Sequence, residues 1–596
     1  MTHTAISQRY RDRRAQLTLR DAHWSRRFNL LAGARGAAFL TAVVLLWLGA
    51  IRGSPPLVWS LVPMGAFVAL MVAHEVVVRQ RERTRRAMRW YDRGLARLED
   101  RWQGGVTGDP YRSEDHLFAD DLDLFGEGSL FELLCTAETP AGRDTLADWL
   151  RFPAAPDVVV RRQDAVAELR ARDELRLDLA VIGSQVGQGF DRELLAGWGT
   201  APPVSLPSWA GAGAFLLAAT NVVTLVGATW FGFSPWVPTV VLLASVTAGL
   251  RLRERVRGIV AGVERPLRDL DHMAGLIGRL EQERWSSARL QDLATQLSGQ
   301  DQPASDALGR LDRLVGLLDS RRNQLFAPFG AVMLWTTQLA LAIERWRRRH
   351  GGRIGQWVAA LGEIEALASL ATYSAEHPDD PMPRLVDGPA RFEAEGLVHP
   401  LLPRRVAVPN DLALGEGPVR ALVVSGSNMS GKSTLLRAVG VNVVLAQAGA
   451  PVSAHVMTLS PLAMGASFRP QDSLQHGQSR FYAEIARLRR TVDLLEADRP
   501  VLFLLDELLS GTNSYDRALG ARAIVEHLVR RGAIGLLTTH DLALASIADA
   551  LAPAMANVHF EDTLEEGALR FDYRLRPGVV ERSNAVELMR AVGLPV

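Results

Sequence analysis

Three of the stretches of this chain that contain no charged side chain limit the folds that it can adopt. They are residues 36–51, 53–73 and 194–250. A helix rises about 1.5 Å per residue, so roughly 20 apolar residues cross the ~30 Å hydrocarbon core of a bilayer. Arg52 separates the first two stretches and begins a predicted turn that ends at Pro56, and the turn-like segment 230–235 divides the third. The pattern predicts two transmembrane helical hairpins, at residues 28–76 and 194–250.

Arginine residues flank both hairpins, whereas the two connecting turns hold one arginine, Arg52. The flanking residues are Arg26, Arg27, Arg79, Arg81, Arg83, Arg85, Arg86, Arg251, Arg253 and Arg255. Because basic residues are retained on the cytoplasmic side, we expect a multi-pass protein of the cell membrane with four spans. Two alternatives stay open: the apolar helices form the core of a soluble protein, or Arg26-Arg27 belongs to a twin-arginine export signal.

The rest of the chain is organised as helices followed by an α/β region. Leucine, valine and isoleucine recur at helical spacing in residues 158–179 and 256–322. A further apolar stretch, 326–343, is interpreted as packing inside a helical domain, with a fifth span as the alternative. The predicted organisation is a basic cytoplasmic segment at 1–27, a helical region at 77–193, an all-α core at 251–385 and an α/β domain at 386–596.

Composition excludes some classes of site. The formal net charge is +1, so the chain as a whole has no electrostatic preference for nucleic acid. A single cysteine, Cys135, excludes an intramolecular disulfide and a cysteine-based zinc site. Lysine plus arginine total 67, yet the chain contains one lysine, Lys432. The guanidinium group of arginine is a planar fork, whereas the ammonium group of lysine is a compact point charge. The use of lysine at position 432 alone therefore predicts a site that requires a compact point charge.

Lys432 lies in a glycine-containing loop between a predicted strand at 421–424 and a predicted helix at 435–444. Strand, loop and helix in this order are typical of the phosphate loop of a P-loop NTPase, in which backbone N–H groups surround the phosphates of ATP. Lys432 can reach the β and γ phosphates, and the Ser433 hydroxyl can bind Mg²⁺. The predicted nucleotide-binding residues are Gly426, Ser427, Asn428, Met429, Ser430, Gly431, Lys432, Ser433 and Thr434.

Two further predicted strands end in polar residues suited to ATP hydrolysis. The apolar run 501–505 ends in Asp506 and Glu507, and the run 533–537 leads to His540. In this context Asp506 can hold Mg²⁺ through water, and Glu507 can polarise the attacking water. His540 would lie at a strand end near the γ-phosphate. The predicted catalytic residues are therefore Lys432, Glu507 and His540.

About 200 residues from His399 onward resemble the ATPase domain of the MutS family of DNA mismatch-repair proteins. The matching residues include Asn428-Met429 in the phosphate loop, Asn410-Asp411, residues 511–516, Tyr573 and residues 593–595. The resemblance implies a homodimer in which Ser479 contacts the γ-phosphate of ATP in the neighbouring subunit. Arg480 stands where the family usually has threonine. Residues 115–375 resemble the family's helical lever domain more weakly, and its mismatch-reading domain has no counterpart here.

Two functions from different classes follow. The first is a membrane-anchored MutS-like ATPase that uses ATP and Mg²⁺ in a dimeric sandwich, coupled to DNA binding. The second is an ATP-driven membrane switch or scaffold that binds no DNA, which the lack of a mismatch-reading domain favours. An ABC-type transporter shares the nucleotide sandwich, but the spans contain few polar groups to form a substrate path.

Overall fold

The structure is a computed structural model, and it describes the chain apart from several short segments. The segments outside the description are residues 1–2, 53, 114, 187–191, 206, 208, 265–269, 300–301, 321–325, 428, 469–479, 510–511, 566–567 and 581–596. The chain forms two compact units: Met1–Leu134, Pro153–Pro156 and Thr372–Val596 make up the first, and Cys135–Phe152 and Asp157–Ala371 the second. Residues 77–134, which we predicted within the helical region 77–193, thus belong to the first unit.

The first unit begins with a long antiparallel pair of helices, α1 (His3–Arg52) and α2 (Leu61–Leu98). Arg14 Nε lies 2.9 Å from Asp92 Oδ1 at the polar end of the pair. The rings of Phe39 and Phe67 lie 5.6 Å apart toward the turn. Residues 1–27 were predicted as a separate basic segment, but from His3 onward they are the first half of α1. Burial of Tyr10 against Trp90 and Tyr91 of α2, together with the charge pairs, explains why this polar half continues the helix.

Large apolar side chains are exposed along the turn-side halves of α1 and α2. They include Leu40, Val44, Leu46, Trp47, Ile51, Leu61, Val62, Val68 and Val72. A contiguous apolar surface of this kind is rare on a soluble monomer. Such a surface fits hydrocarbon better than water.

The second unit is entirely helical in its described part and follows a short helix, α3 (Leu130–Leu134), of the first unit. Its helices are α4 (Pro140–Arg151), α5 (Pro156–Arg170), α6 (Asp173–Gly183), α7 (Arg192–Thr200), α8 (Ala210–Trp230), α9 (Trp236–Glu264), α10 (Leu270–Glu281), α11 (Ala288–Ser298), α12 (Ala304–Asp319), α13 (Ala327–Val332), α14 (Trp335–His350) and most of α15 (Ile354–Glu376). The all-α class predicted for residues 251–385 agrees with these helices as far as Glu376.

The second predicted hairpin corresponds to α8 and α9, which are joined by a buried polar contact. Asn221 Nδ2 donates hydrogen bonds to Ser245 Oγ at 2.7 Å and to the carbonyl oxygen of Val332 at 3.0 Å. Asn221 is 3% exposed, so its amide is satisfied within the protein. The contact fixes α8 against both α9 and α13.

By length and composition, three helices among the described residues are able to cross a membrane: α1, the segment Leu57–Leu98 that contains α2, and α8. The fourth predicted span, α9, is not among them, because its apolar part ends at Arg251 after 15 residues from Trp236. The stretch 326–343 is not one helix: Leu334 has a left-handed φ of 49° between α13 and α14. Several of its residues are buried within the second unit, as we expected for a packed segment.

The α/β region of the first unit contains two sheets. The smaller sheet has the order β1 (Arg384–Leu385), β5 (Val456–Leu459), β2 (Phe392–Leu397) and β3 (Asn410–Leu414). The larger has the order β10 (Ala568–Pro577), β9 (Met555–Glu565), β4 (Ala421–Ser425), β8 (Ile534–Thr539), β7 (Val501–Asp506) and β6 (Ala463–Ser467). All pairs in the larger sheet are parallel except β9 with β10.

Helices cover this sheet, and their positions agree with the predicted alternation of strands and helices. They are α16 (Lys432–Ala448), α17 (Arg480–Asp493), α18 (Ser514–Arg530) and α19 (Leu542–Ala550). The predicted strands at 421–424, 501–505 and 533–537 correspond to β4, β7 and β8. Each of these three strands is fully buried, as expected for the centre of a parallel sheet.

A buried ion pair fastens the polar end of the α1–α2 pair to the end of α15. Arg97 donates two hydrogen bonds of 2.7 Å to the carboxylate of Glu376. Arg97 is 9% exposed and Glu376 is fully buried. Tyr10 Oη lies 3.5 Å from Glu376 Oε1, and the Tyr10 ring packs over Gly94, where a Cβ would approach it to 2.6 Å. Three parts of the chain therefore meet at one carboxylate.

We expect Glu376→Ala to lower the free energy of unfolding by about 3–5 kcal/mol, because it removes the buried carboxylate that balances the charge of the Arg97 guanidinium. Asp92→Ala is the matched control, since it removes an exposed ion pair with Arg14 and should cost at most about 1 kcal/mol. Chemical unfolding of the detergent-solubilised protein measures both. Equal effects of the two substitutions would contradict the central role of the buried pair.

Candidate nucleotide-binding site

The predicted phosphate loop connects the end of β4 to the start of α16. Gly431 has a φ of 108°, and a Cβ there would lie 3.2 Å from Tyr573 Cδ1. Met429 also has a left-handed φ, of 70°, and its side chain is 84% exposed. Asn428, predicted as a binding residue, lies outside the described residues. The loop is thus a tight turn that delivers the backbone N–H groups at the start of α16 to one point.

Lys432 is buried and its ammonium group folds back over the loop. Nζ donates hydrogen bonds of 2.8 Å to the carbonyl oxygens of Gly426 and Ser427. Burial lowers the pKa of Lys432, whereas the carboxylates of Glu507, Asp506 and Asp562 raise it. The ammonium group therefore lies between the loop carbonyls and a set of acids, where phosphate oxygens could replace its carbonyl partners.

The parallel register of β7 and β8 orders the acidic pair. Asp506 is paired with Thr538, whose hydroxyl donates a hydrogen bond to Asp506 Oδ1. The same hydroxyl accepts a hydrogen bond of 3.1 Å from the backbone N–H of Glu507. One fully buried threonine thus holds both predicted acidic residues. Sequence reasoning gave Thr538 no role, because this contact depends on strand register.

Glu507 and His540 are in contact, because they directly follow the neighbouring strands β7 and β8 at the same edge of the sheet. His540 Nδ1 lies 3.2 Å from Glu507 Oε1, and both side chains are partly exposed. Glu507 has a left-handed φ of 49°. The residues that line the cavity described next include Glu507 but not His540. His540 therefore adjoins the site through Glu507.

A cavity of about 770 Å³ lies between the phosphate loop and residues 397–410. Its polar side contains Lys432, Ser433, Thr434, Asp506 and Glu507, together with Met429 and Gly431. Its other side contains His399, Leu402, Val406, Asn410 and Tyr573. A volume of this size suits a nucleotide, with phosphates on the polar side and an apolar wall for a base.

Tyr573 is positioned by hydrogen bonds from the side chain of Asn410, which the sequence did not reveal. It has a left-handed φ of 54° within an irregularity of β10. Asn410 Nδ2 donates to the Tyr573 carbonyl oxygen at 3.0 Å, and Asn410 Oδ1 accepts from the Leu575 N–H at 2.7 Å. Asn410 and Tyr573 were noted as motif residues without a role. Their pairing over 163 positions holds the Tyr573 ring beside Gly431.

The oxygen groups of this site fit Mg²⁺. Ser433 supplies a hydroxyl and Asp506 a carboxylate, and both line the cavity. Over the part of the chain that the structure describes, no cluster of three or more His, Cys, Asp or Glu residues forms a cage for a metal. Two protein oxygens without a cage match the preference of Mg²⁺ for water and phosphate ligands.

Ser479 lies outside the described residues, and α17 begins at the next residue, Arg480. Its contact with a nucleotide of a second subunit stays a prediction.

The fold and the site together define a P-loop nucleoside triphosphatase domain: a loop between a parallel strand and a helix, one lysine, and an acidic pair at the end of a neighbouring strand. Residues 422–596 match the family MutS domain V. The match shows that this region is similar to MutS domain V, and it covers the last third of the chain.

Relatives with curated names point in the same direction. The DNA mismatch repair protein MutS 2 of Halobacterium salinarum is 38% identical over 244 residues, which cover 40% of this chain and 27% of the relative. Endonuclease MutS2 of Thermomicrobium roseum is 39% identical over 200 residues, 33% of this chain and 24% of the relative. The DNA mismatch repair protein MutS of Thermus thermophilus is 32% identical over 281 residues, 47% of this chain and 33% of the relative. The chain therefore spans about a quarter to a third of these relatives.

His399 makes the apolar wall of the cavity sensitive to acid. Its Nδ1 accepts a hydrogen bond of 3.2 Å from the Leu401 N–H, so the folded protein holds a neutral ring. Burial, together with the positive charge of Arg437, lowers the pKa of His399 to about 4. Since the unfolded ring titrates near 6.5, the unfolded state takes up the proton first, and stability falls as the pH drops from about 6.5 to 4.

We expect this group alone to cost about 2 kcal/mol of folding free energy between pH 7 and pH 5, at about 1.4 kcal/mol for each unit of pKa difference. His399→Gln keeps an acceptor of similar size and should remove that part of the pH dependence. Unfolding midpoints of both proteins at pH 7 and pH 5 test this. An identical pH response would show that His399 is not the acid-sensitive group.

Proposed function

We propose that this protein is a membrane-anchored ATPase of the MutS type. The observation that carries the proposal is the meeting of Lys432 with Asp506 and Glu507 at one edge of a parallel sheet, within a MutS domain V. The shared cavity and the single lysine support ATP as the ligand. Mg²⁺, when bound with ATP, would neutralise charge on the transferred phosphoryl group.

Each residue has a separable role in this proposal. Backbone N–H groups of residues 426–434 hold the phosphates, and Lys432 contacts the β and γ oxygens. Ser433 and Asp506 hold Mg²⁺, with Asp506 oriented by Thr538. Glu507 accepts a proton from the attacking water, and its hydrogen bond with His540 keeps the carboxylate directed toward that water.

We further propose that the ATPase domain works as a homodimer. Large apolar side chains are exposed on this domain near the phosphate loop and on α17 and α18. They are Met429, Tyr482, Tyr515 and Leu519. An exposed aromatic and aliphatic surface of this kind is typical of protein interfaces. In the sandwich, Ser479 of one subunit would contact the γ-phosphate held by the other.

The apolar helices support anchoring in the cell membrane, with the ATPase domain in the cytoplasm. Three helices meet the length and composition of a span, and exposed apolar residues cover the turn-side halves of α1 and α2. The arginines follow the positive-inside pattern around both hairpins. The second hairpin, α8 and α9, would enter the bilayer with them.

The membrane part of the proposal predicts that the protein stays in the membrane pellet after an alkaline carbonate wash. Apolar spans resist this wash, whereas proteins held by charge alone are released. A protease added outside intact cells should leave the ATPase domain uncut. Release of the protein into the supernatant would contradict the spans.

DNA binding enters the proposal only through the relatives, whose names describe DNA mismatch repair proteins and an endonuclease. The alternative is an ATP-driven membrane switch or scaffold with no DNA ligand. The apolar hairpins favour this alternative, because they give the ATPase domain a membrane element to move. Both functions share the ATPase site and differ in what stimulates it.

The decisive measurement is ATP hydrolysis by the solubilised protein with and without homoduplex, mismatched and branched DNA. Lys432→Ala should lower hydrolysis on the order of a hundredfold or more, as expected for loss of a group that stabilises the transition state. Lys432→Arg should not restore it, since the planar fork does not replace a point charge. Glu507→Gln should bind ATP but not hydrolyse it.

The outcomes separate the functions. Stimulation of hydrolysis by DNA supports a membrane-anchored, DNA-dependent ATPase. Lys432-dependent hydrolysis at the same rate with and without each DNA supports the membrane switch. Hydrolysis that is unchanged in both Lys432→Ala and Glu507→Gln would refute the ATPase site.

A further inference from the structure

A buried carboxylate on α17 contacts the loop that carries Glu507. Glu484 is 2% exposed and lines the nucleotide cavity. Its Oε1 accepts a hydrogen bond of 2.6 Å from the backbone N–H of Leu509. A short hydrogen bond to a carboxylate is of the stronger, charge-assisted kind. Glu484 thus binds the chain two residues beyond the proposed general base.

The loop held in this way has an unfavourable backbone. Glu507 and Leu509 have φ values of 49° and 56°, although neither is glycine. Each such residue costs on the order of 1 kcal/mol or more and persists only where neighbouring groups fix it. Two hydrogen bonds do so here: Thr538 binds the N–H of Glu507 from β8, and Glu484 binds the N–H of Leu509 from α17.

From this geometry we propose that Glu484 is a positioning residue for ATP hydrolysis, which rests on the ATPase function proposed above. It holds the loop after β7 so that the Glu507 carboxylate faces the cavity. The Glu484 carboxylate is engaged by the loop, so its role is indirect and not that of a second base.

The same contact makes hydrolysis depend on the position of α17. Glu484 lies one turn from the start of this helix at Arg480. Farther along the helix, Arg487 donates to the His116 carbonyl oxygen at 3.1 Å and pairs with Asp121 at 3.1 Å. A helix moves as a rigid element, so a shift of its first turn would be transmitted to Glu507 through Leu509. The catalytic loop therefore responds to whatever contacts the beginning of α17.

The test compares Glu484→Ala and Glu484→Gln with Arg489→Ala, an exposed position on the same helix. Glu484→Ala should lower kcat for ATP hydrolysis at least about tenfold, as is usual for loss of a group that orients an active-site residue, with KM and nucleotide affinity changed less than about threefold. Glu484→Gln should keep kcat within about threefold of wild type, because its amide oxygen accepts the same hydrogen bond. Arg489→Ala should have no effect.

Hydrogen exchange at the Leu509 amide provides a readout that does not need hydrolysis. Its protection should be lost in Glu484→Ala and kept in Glu484→Gln. The wild-type protein could lack Lys432-dependent hydrolysis and still show this pattern of exchange. That result would overturn the proposed ATPase function, while it would confirm that Glu484 holds the Leu509 amide. Normal kcat in Glu484→Ala, or kcat and nucleotide affinity falling together without rescue by glutamine, would overturn the positioning role.

Discussion

Parallel pairing of β4, β8 and β7 is the constraint on which the nucleotide site depends. Because the strands run in the same direction and in register, their carboxyl ends reach one edge of the sheet, and residues more than 70 positions apart meet there. The phosphate loop leaves β4, the acidic pair ends β7, and His540 follows β8. The hydroxyl of Thr538 can join Asp506 to Glu507 only because Asp506 is paired with Thr538 in this register. Burial of all three strands keeps that edge fixed.

The parts of the site that the sequence revealed are those encoded by neighbouring residues. Lys432 and its loop, and the pair Asp506-Glu507 after an apolar run, were predictable because strand, loop and helix follow each other directly. The roles of Thr538, Glu484 and Asn410 were not, since each depends on contacts between residues 25 or more positions apart. Ordinary residue types make these contacts, and a pattern of spacing does not distinguish them from other polar residues.

The fold shows the same division. Helices and buried strands were predicted from periodicity, and three of the four expected spans satisfy length and composition. The predicted boundary after residue 27 has no counterpart in α1, because burial of Tyr10 against α2 and charge pairs with α2 stabilise the polar half of the helix. The inclusion of residues 77–134 in the first unit could not be read from local composition. It reflects contacts such as Arg487 with Asp121, which join distant segments.

The single lysine has a chemical consequence. Arginine supplies nearly all the positive charge of the chain, and guanidinium groups do not react as amines at neutral pH. The only side-chain amine, Nζ of Lys432, is held by two carbonyl oxygens inside the phosphate loop. Acylation of that nitrogen removes its positive charge. In most proteins lysine acylation is spread over many surface side chains, but here the one lysine side chain that it can modify lies in the nucleotide site. Apart from the terminal α-amine of the chain, an amine-directed label would therefore report on that site alone.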